Sequence, residues 1–193
     1  MSCPFFVWCR IQISIWHNIY HTTLTTKFRG FMDATKNIAA GLAGAVVLNL
    51  LHEGTRQFYD KAPRINKVGE EALSKSLKTI NIDPPKGKKL FGLTLASDLL
   101  SNAAYYSMVG SGKEENILLR GAGFGFAAGI GALTLTKPLG LNDAPVNRTV
   151  QTQILTVAWY VLGGLAAAFV AKKISEKPEL NKLVSSVSSF GLF

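Results

Sequence analysis

The chain's 193 residues suit a single domain, but only 17% of them are charged, against about 25% in soluble domains, and the 48% that are hydrophobic gather into blocks. That clustering, with a mean hydropathy of +0.21, argues against a water-soluble globule. The formal charge of +9 would suggest nucleic acid in a soluble protein, yet no basic face interleaved with aromatics exists. The cations fall between apolar blocks instead, which excludes nucleic acid as the expected partner and favours anionic lipid headgroups.

Residues 1–31 differ in composition from the rest of the chain. They contain no Ala, Asp or Glu, yet hold Cys3, Cys9, Trp8, Trp16, His17 and His21. From Met32 the composition turns to Ala, Gly and Leu. One reading is that Met32 is the natural start and the preceding segment lies upstream of it. Another is an organelle transit peptide, since Arg10, Lys27 and Arg29 stand among Ser and Thr with no acids. The spacing C-x5-C-x7-H-x3-H has too wide a cysteine gap and too short a centre for a zinc finger, so no metal is expected. Two cysteines near one end imply no disulfide framework either.

Four blocks lie beyond Met32, and the pattern predicts an all-α, polytopic membrane bundle over 32–175. The blocks span 37–52, 90–109, 116–136 and 149–171, ahead of a tail over 176–193. A helix of roughly 20 apolar residues crosses a hydrocarbon core of about 30 Å. Between Arg148 and Lys172 there is no charge, and between Lys89 and Lys113 the only one is Asp98. Small residues four apart let helices approach closely in lipid. They recur as Ala40 with Gly44 and Gly41 with Ala45 in the first block. Gly121, Gly125 and Gly129 form a glycine-zipper strip in the third, with Gly123 and Gly131 beside it. In the fourth, Gly163 pairs with Ala167 and Gly164 with Ala168. These faces also suggest homo-oligomers.

The long loop 53–89 contains a predicted amphipathic helix. Asn66 would cap it, Val68, Ala72, Leu73, Leu77 and Ile80 line one face, and Pro84-Pro85 would end it. It suits either the membrane interface or the end of the bundle. The loop carries Arg56, Lys61, Arg64, Lys67, Lys75, Lys78, Lys86, Lys88 and Lys89, and the loop before the fourth block adds Lys137 and Arg148. The opposite side, from Met32, holds Lys36, Lys113, Lys172, Lys173, Lys177 and Lys182. Positive-inside counting places the long loop in the cytoplasm, although the basic tail pulls the other way.

Motifs for chemistry are weak. Gly123-x-Gly125-x-x-Ala128 matches a dinucleotide-binding glycine pattern, but Arg120 interrupts the strand it would need and no β-α alternation surrounds it. His52-Glu53 starts like a zinc-protease motif, but position 56 is Arg where the second His should be. His52, Glu53, Arg56 and Arg64 read more simply as a membrane boundary with headgroup contacts. No catalytic residue and no cofactor is expected. Asn147-Arg148-Thr149 matches a glycosylation site only if it faces a secretory lumen.

Asp98 is the residue whose position demands explanation. An acid in hydrocarbon costs about 2.5–3.5 kcal/mol on insertion scales, so it should face inward and have a partner. Ser101 and Asn102 share its helical face, Arg120 is the expected counter-ion with Arg148 second, and Asn49 with Tyr105-Tyr106 would complete a polar cluster. Such a cluster serves a solute, ion or proton, or else it is a structural ion pair fixing helix register.

From Met32 onward the chain resembles small, uncharacterised bacterial membrane proteins. The residues that carry the likeness are His52-Glu53 with Arg56, Ala62-Pro63-Arg64, Ser101-Asn102 with Tyr105-Tyr106, Asn147-Arg148-Thr149 and Ala158-Trp159-Tyr160. The resemblance implies a bacterial inner-membrane location and no particular activity. Three roles stand open at this point: a non-enzymatic membrane bundle, a small-solute or ion transporter using the Asp98 cluster, and an enzyme acting on lipid headgroups through His52, Glu53 and the loop arginines.

Overall fold

A computed structural model describes residues 33–111 and 114–176. Residues 1–31, with Cys3, Cys9, His17 and His21, lie outside the described residues, as does the tail beyond Glu176. The described residues are helical, with no strand among them. The elements are α1 (Asp33–Phe58), α2 (Ile65–Thr79), α3 (Lys88–Ser107), α4 (Ile117–Thr134), the short α5 (Ala144–Asn147) and α6 (Val150–Ser175). Residues 36–174 form one unit.

Three of these helices, α1, α4 and α6, combine the length and apolarity needed to cross a membrane, with mean hydropathies of 1.4, 1.4 and 2.0. At 1.5 Å per residue, their 26, 18 and 26 residues extend about 39, 27 and 39 Å. The block pattern predicts four such helices. With 20 residues α3 has the length, but Lys88, Lys89, Asp98 and a run of Ser, Asn and Tyr lower its apolarity.

Close backbone approach organises the packing. α6 buries small residues on two faces, and α1 and α4 take one each. A Cβ placed on Gly44 of α1 would stand 2.6 Å from the Gly163 carbonyl oxygen of α6. One placed on Gly121 of α4 would stand 2.5 Å from the Gly164 oxygen and 2.7 Å from the Ala168 Cβ. Gly125 and Gly129 continue the α4 contact at Tyr160 and Val157, so the two helices run antiparallel. Gly41 sits against Ala103 and Ser107 of α3. Gly123 and Gly131 take no part: a Cβ on the first meets nothing within 4 Å, and one on the second makes only an ordinary contact. The step of four thus separates the packed glycines of α4 from the others.

Opposite these small-residue faces lie the large apolar side chains. Ile38, Leu42, Val46 and Leu50 form an exposed stripe at every fourth residue of α1. Leu119, Phe126 and Ile130 are exposed at helical spacings of seven and four on α4, and Val150, Ile154, Leu162 and Phe169 at spacings of four, eight and seven on α6. Leu50 is 67% exposed and Phe169 57%, while the buried core sets Ala40, Ala167, Ala168 and Ala171 among Leu48, Tyr106, Val109, Ile117 and Tyr160.

α3 is fastened by two tyrosines. The Tyr106 hydroxyl donates to the Tyr160 carbonyl of α6 at 2.7 Å, and the Tyr105 hydroxyl to the Phe124 carbonyl of α4 at 2.9 Å. α2 departs from its expected limits at both ends. Arg64, not Asn66, occupies the N-cap position, so Asn66 already lies inside the first turn. The helix ends before Pro84-Pro85, because Asn81 adopts φ 57°, a left-handed conformation that Asn tolerates well. The Asn81 N–H then donates to Lys78 O at 3.0 Å and the Ile82 N–H to Leu77 O at 2.9 Å, closing the last turn.

Candidate functional site

Near one end of the unit, α1, α2 and α3 border a small, partly open cavity of about 20 Å³ with both polar and apolar lining. Asn49 and Glu53 of α1, Asn66 and Gly69 of α2, and Thr94 and Asp98 of α3 line it, together with Ile65, Phe91 and Leu95. Each position follows from helix geometry. Asn49 and Glu53 are four apart on α1, and Thr94 and Asp98 four apart on α3, so each pair projects from one face. Gly69 lets α2 close over the space, since a Cβ there would stand 2.7 Å from the Thr94 Cγ2.

The Asn49 and Asn102 side chains hydrogen-bond to the Asp98 carboxyl, and the Glu53 carboxylate acts on it by charge. Asn49 also donates to Ala45 O at 3.0 Å. Asn102 and Ser101 donate to the main-chain oxygen of Asp98, at 3.0 and 3.1 Å. Glu53 is held by Arg56, whose Nε donates at 2.7 Å while the guanidinium lies 5.4 Å from the centre of the Phe91 ring. Thr94 is only 4% exposed, and its Oγ1 has no hydrogen-bond partner among the described residues. The same holds for the buried Oδ1 of Asn66.

The arginines expected beside Asp98 are elsewhere. Arg120 lies in the first turn of α4, and its Nε donates to Val109 O at 2.6 Å, just past the end of α3. Val109 is eleven residues beyond Asp98, about 16 Å along the chain direction at helical rise. Arg148 donates to the carbonyls of Asp60 and Ala62, the latter at 2.8 Å. Both guanidiniums therefore serve main-chain oxygens where helices stop, and those oxygens lack intrahelical donors.

Asn147-Arg148-Thr149 is a structural joint. Asn147 donates to Leu133 O at the end of α4 at 2.8 Å, and the Thr149 hydroxyl accepts the Thr152 N–H at 3.1 Å as α6 begins. Other bonds clasp the loop before α2 and α2 itself to the loop before α6. The Arg64 N–H donates to Pro145 O at 3.0 Å, the Thr152 hydroxyl to Lys61 O at 2.9 Å, and the Asn142 N–H to the Glu71 carboxylate at 2.9 Å. Lys75 bridges Glu71 at 2.7 Å and also reaches Gly140 O. The Lys75 ammonium and the Asn142 N–H hold the Glu71 carboxyl below the usual carboxylate range. The two basic loops thus share one end of the unit. Asn37 meets Ser111 at the other, with a 3.3 Å bond from the start of α1 to the segment after α3.

The sequence places His52 at a membrane boundary. It is 2% exposed, with its ring edge-on to Tyr160 at 5.7 Å, and α1 continues six residues past it. Glu53 turns to the polar cavity, so the two side chains face different neighbours. Arg56 and Arg64 are on the exposed side. A larger open groove of about 650 Å³ runs between the end of α1 and the start of α6, past Leu50, Phe58, Ile154 and Trp159. No carboxylate, amine or imidazole lines it.

Sequence reasoning brings Asn49 and Asp98 together but misses Thr94, Asn66 and Gly69. Thr94 carries a usable signal, standing one turn before Asp98 on the same face. No family model matches the chain, and no curated protein or solved structure matches it either.

Proposed function

We propose that this is an integral membrane protein with a non-enzymatic role, a four-span helical bundle in which α3 joins α1, α4 and α6. The observation that carries the reading is the inverted distribution of side-chain size. Glycine and alanine meet between helices, while Leu, Ile, Val and Phe point outward in stripes along α1, α4 and α6. In water such stripes would be an association hazard; in hydrocarbon they are the solvent-matched surface. Gly41, Gly44, Gly121, Gly125, Gly129, Gly163 and Gly164 are taken up by contacts within the chain, which favours a bundle complete in one chain over an oligomer built on those faces. In this reading the clasped basic loops face the cytoplasm of a bacterial inner membrane, where their cations meet anionic headgroups.

Membrane extraction tests the proposal. The protein should stay with the membrane pellet through alkaline carbonate and high salt and leave only with detergent. A chain that remains monodisperse in detergent-free buffer refutes it. The second reading, passage or binding of a small solute or ion at the Asp98 cluster, is favoured by the polar cavity on three helices.

A further inference from the structure

We infer that the cavity between α1, α2 and α3 is a binding site for one monovalent cation of sodium-ion size. This deepens the second reading above and rests on it.

Five oxygen-bearing side chains converge on the cavity: Asn49, Glu53, Asn66, Thr94 and Asp98. A space of about 20 Å³ admits one particle the size of a water molecule. Two observations point to an occupant. The hydroxyl of Thr94, a residue only 4% exposed, and the Asn66 Oδ1 are both buried without a hydrogen-bond partner among the described residues. An amide oxygen can only accept, so Asn66 needs a donor or a cation.

Charge and stoichiometry select the cation. Glu53 and Asp98 are two carboxylates sharing one lining, and Arg56 pairs with Glu53 and so answers one of the two charges. A lone water could bond to both unpartnered oxygens, but it carries no charge and leaves the second carboxylate without a counter-charge. A bound monovalent ion satisfies the acceptors and offsets the charge together. Calcium needs six to eight oxygens, and magnesium keeps several waters for which there is no room. No imidazole or thiol lines the cavity, and no group of three His, Cys, Asp or Glu occurs among the described residues, so softer metals lack their donors.

The test uses the full chain in detergent. Thermal unfolding is followed in sodium chloride, potassium chloride and choline chloride at equal ionic strength, and equilibrium retention of ²²Na⁺ is measured on the same preparation. The midpoint should rise with sodium to a plateau, stay flat with choline, and be accompanied by one retained sodium per chain. Asp98→Asn should abolish the sodium-dependent rise, and Thr94→Val should shift its half-saturation at least tenfold higher. Should Asp98→Asn fail to fold, Thr94→Val and the wild-type ²²Na⁺ measurement decide the matter. Equal midpoints in sodium and choline with no retained ²²Na⁺ overturn the proposal, which is the result expected if the cavity holds only water or a protonated Asp98. A sodium response unchanged in both variants overturns it as well, and a response to potassium alone overturns the size assignment. Detergent-free solubility would sink the membrane reading without altering these outcomes, so the two failures are distinguishable.

Discussion

Replacing Gly121 by alanine probes the contact between α4 and α6 where both backbones leave no space. The added Cβ would lie 2.5 Å from Gly164 O and 2.7 Å from the Ala168 Cβ. Ordinary carbon contacts fall near 3.5–4.0 Å, so the helices must separate by about 1 Å, and neither obstacle can rotate away. Overpacking of this kind costs about 1–3 kcal/mol. Helix propensity works in the opposite direction, since Gly→Ala inside a helix gains about 0.8–1 kcal/mol. Gly123→Ala removes that ambiguity, because it lies two residues away on the same helix and its Cβ would meet nothing within 4 Å. The propensity gain is common to both variants, so the difference between them isolates the clash. Reversible unfolding in mixed micelles, titrated with SDS and followed by far-ultraviolet circular dichroism, should place Gly121→Ala about 1–3 kcal/mol below Gly123→Ala. That gap is about 5- to 150-fold in the folded-to-unfolded ratio. Variants that agree within about 0.5 kcal/mol, the usual scatter for substitutions that touch nothing, would show that α4 and α6 do not meet along this face.

The same unfolding measurement applied to Tyr106→Phe should report a loss of about 0.5–1.5 kcal/mol, because the variant removes the buried 2.7 Å bond to Tyr160 O and keeps the ring. Arg148→Ala should loosen the segment around Asp60 and Ala62, since one guanidinium nitrogen donates to both carbonyls and alanine donates to neither; limited proteolysis should cut there faster with the helical signal unchanged. Glu71 sets a pH dependence. Its folded pKa lies below the ordinary 4.5, so its contribution to the loop clasp is complete above that value and disappears as pH falls through the folded pKa. Protease sensitivity of the 137–143 segment should therefore rise on acidification below about pH 4.5, and Glu71→Gln should be sensitive at neutral pH with no further change.

Hydropathy and small-residue spacing locate the long helices because both are repeated properties, written many times along the chain. Their ends are less legible. The charge of Glu53 bounds the first apolar block, yet α1 runs on to Phe58, since Glu53 and Arg56 pair three residues apart and let the helix continue past the apolar stretch. Asn66 has the chemistry of a cap, but the helix begins two residues earlier than a cap there would allow, and Asn81 stops α2 by its own backbone conformation before any proline is reached. A single residue decides each of these ends, and several residues nearby have suitable chemistry. Gly69 is invisible in the sequence for a related reason: only the partner helix, with Thr94 at its surface, reveals why a side chain is not accommodated there.

The arginine expectation fails in an informative way. Asp98 is legible because an acid within an apolar block is costly wherever the chain folds, and an opposite charge is the obvious answer to it. Side-chain patterns, however, do not display the carbonyls that helix ends leave without donors. Arg120 beside Val109 and Arg148 beside Asp60 and Ala62 answer that demand, which arises wherever α3 and the segment after α1 end. With both guanidiniums placed there, the neighbours of Asp98 are amides and a second carboxylate. A carboxylate removed from water and set beside another is stable only if a proton or a cation accompanies it. The unpartnered oxygens of Thr94 and Asn66 are the atoms that either occupant would have to meet. A proton on Asp98 could satisfy one acceptor, whereas a bound ion can be shared by all of them, and this is why the geometry favours the ion.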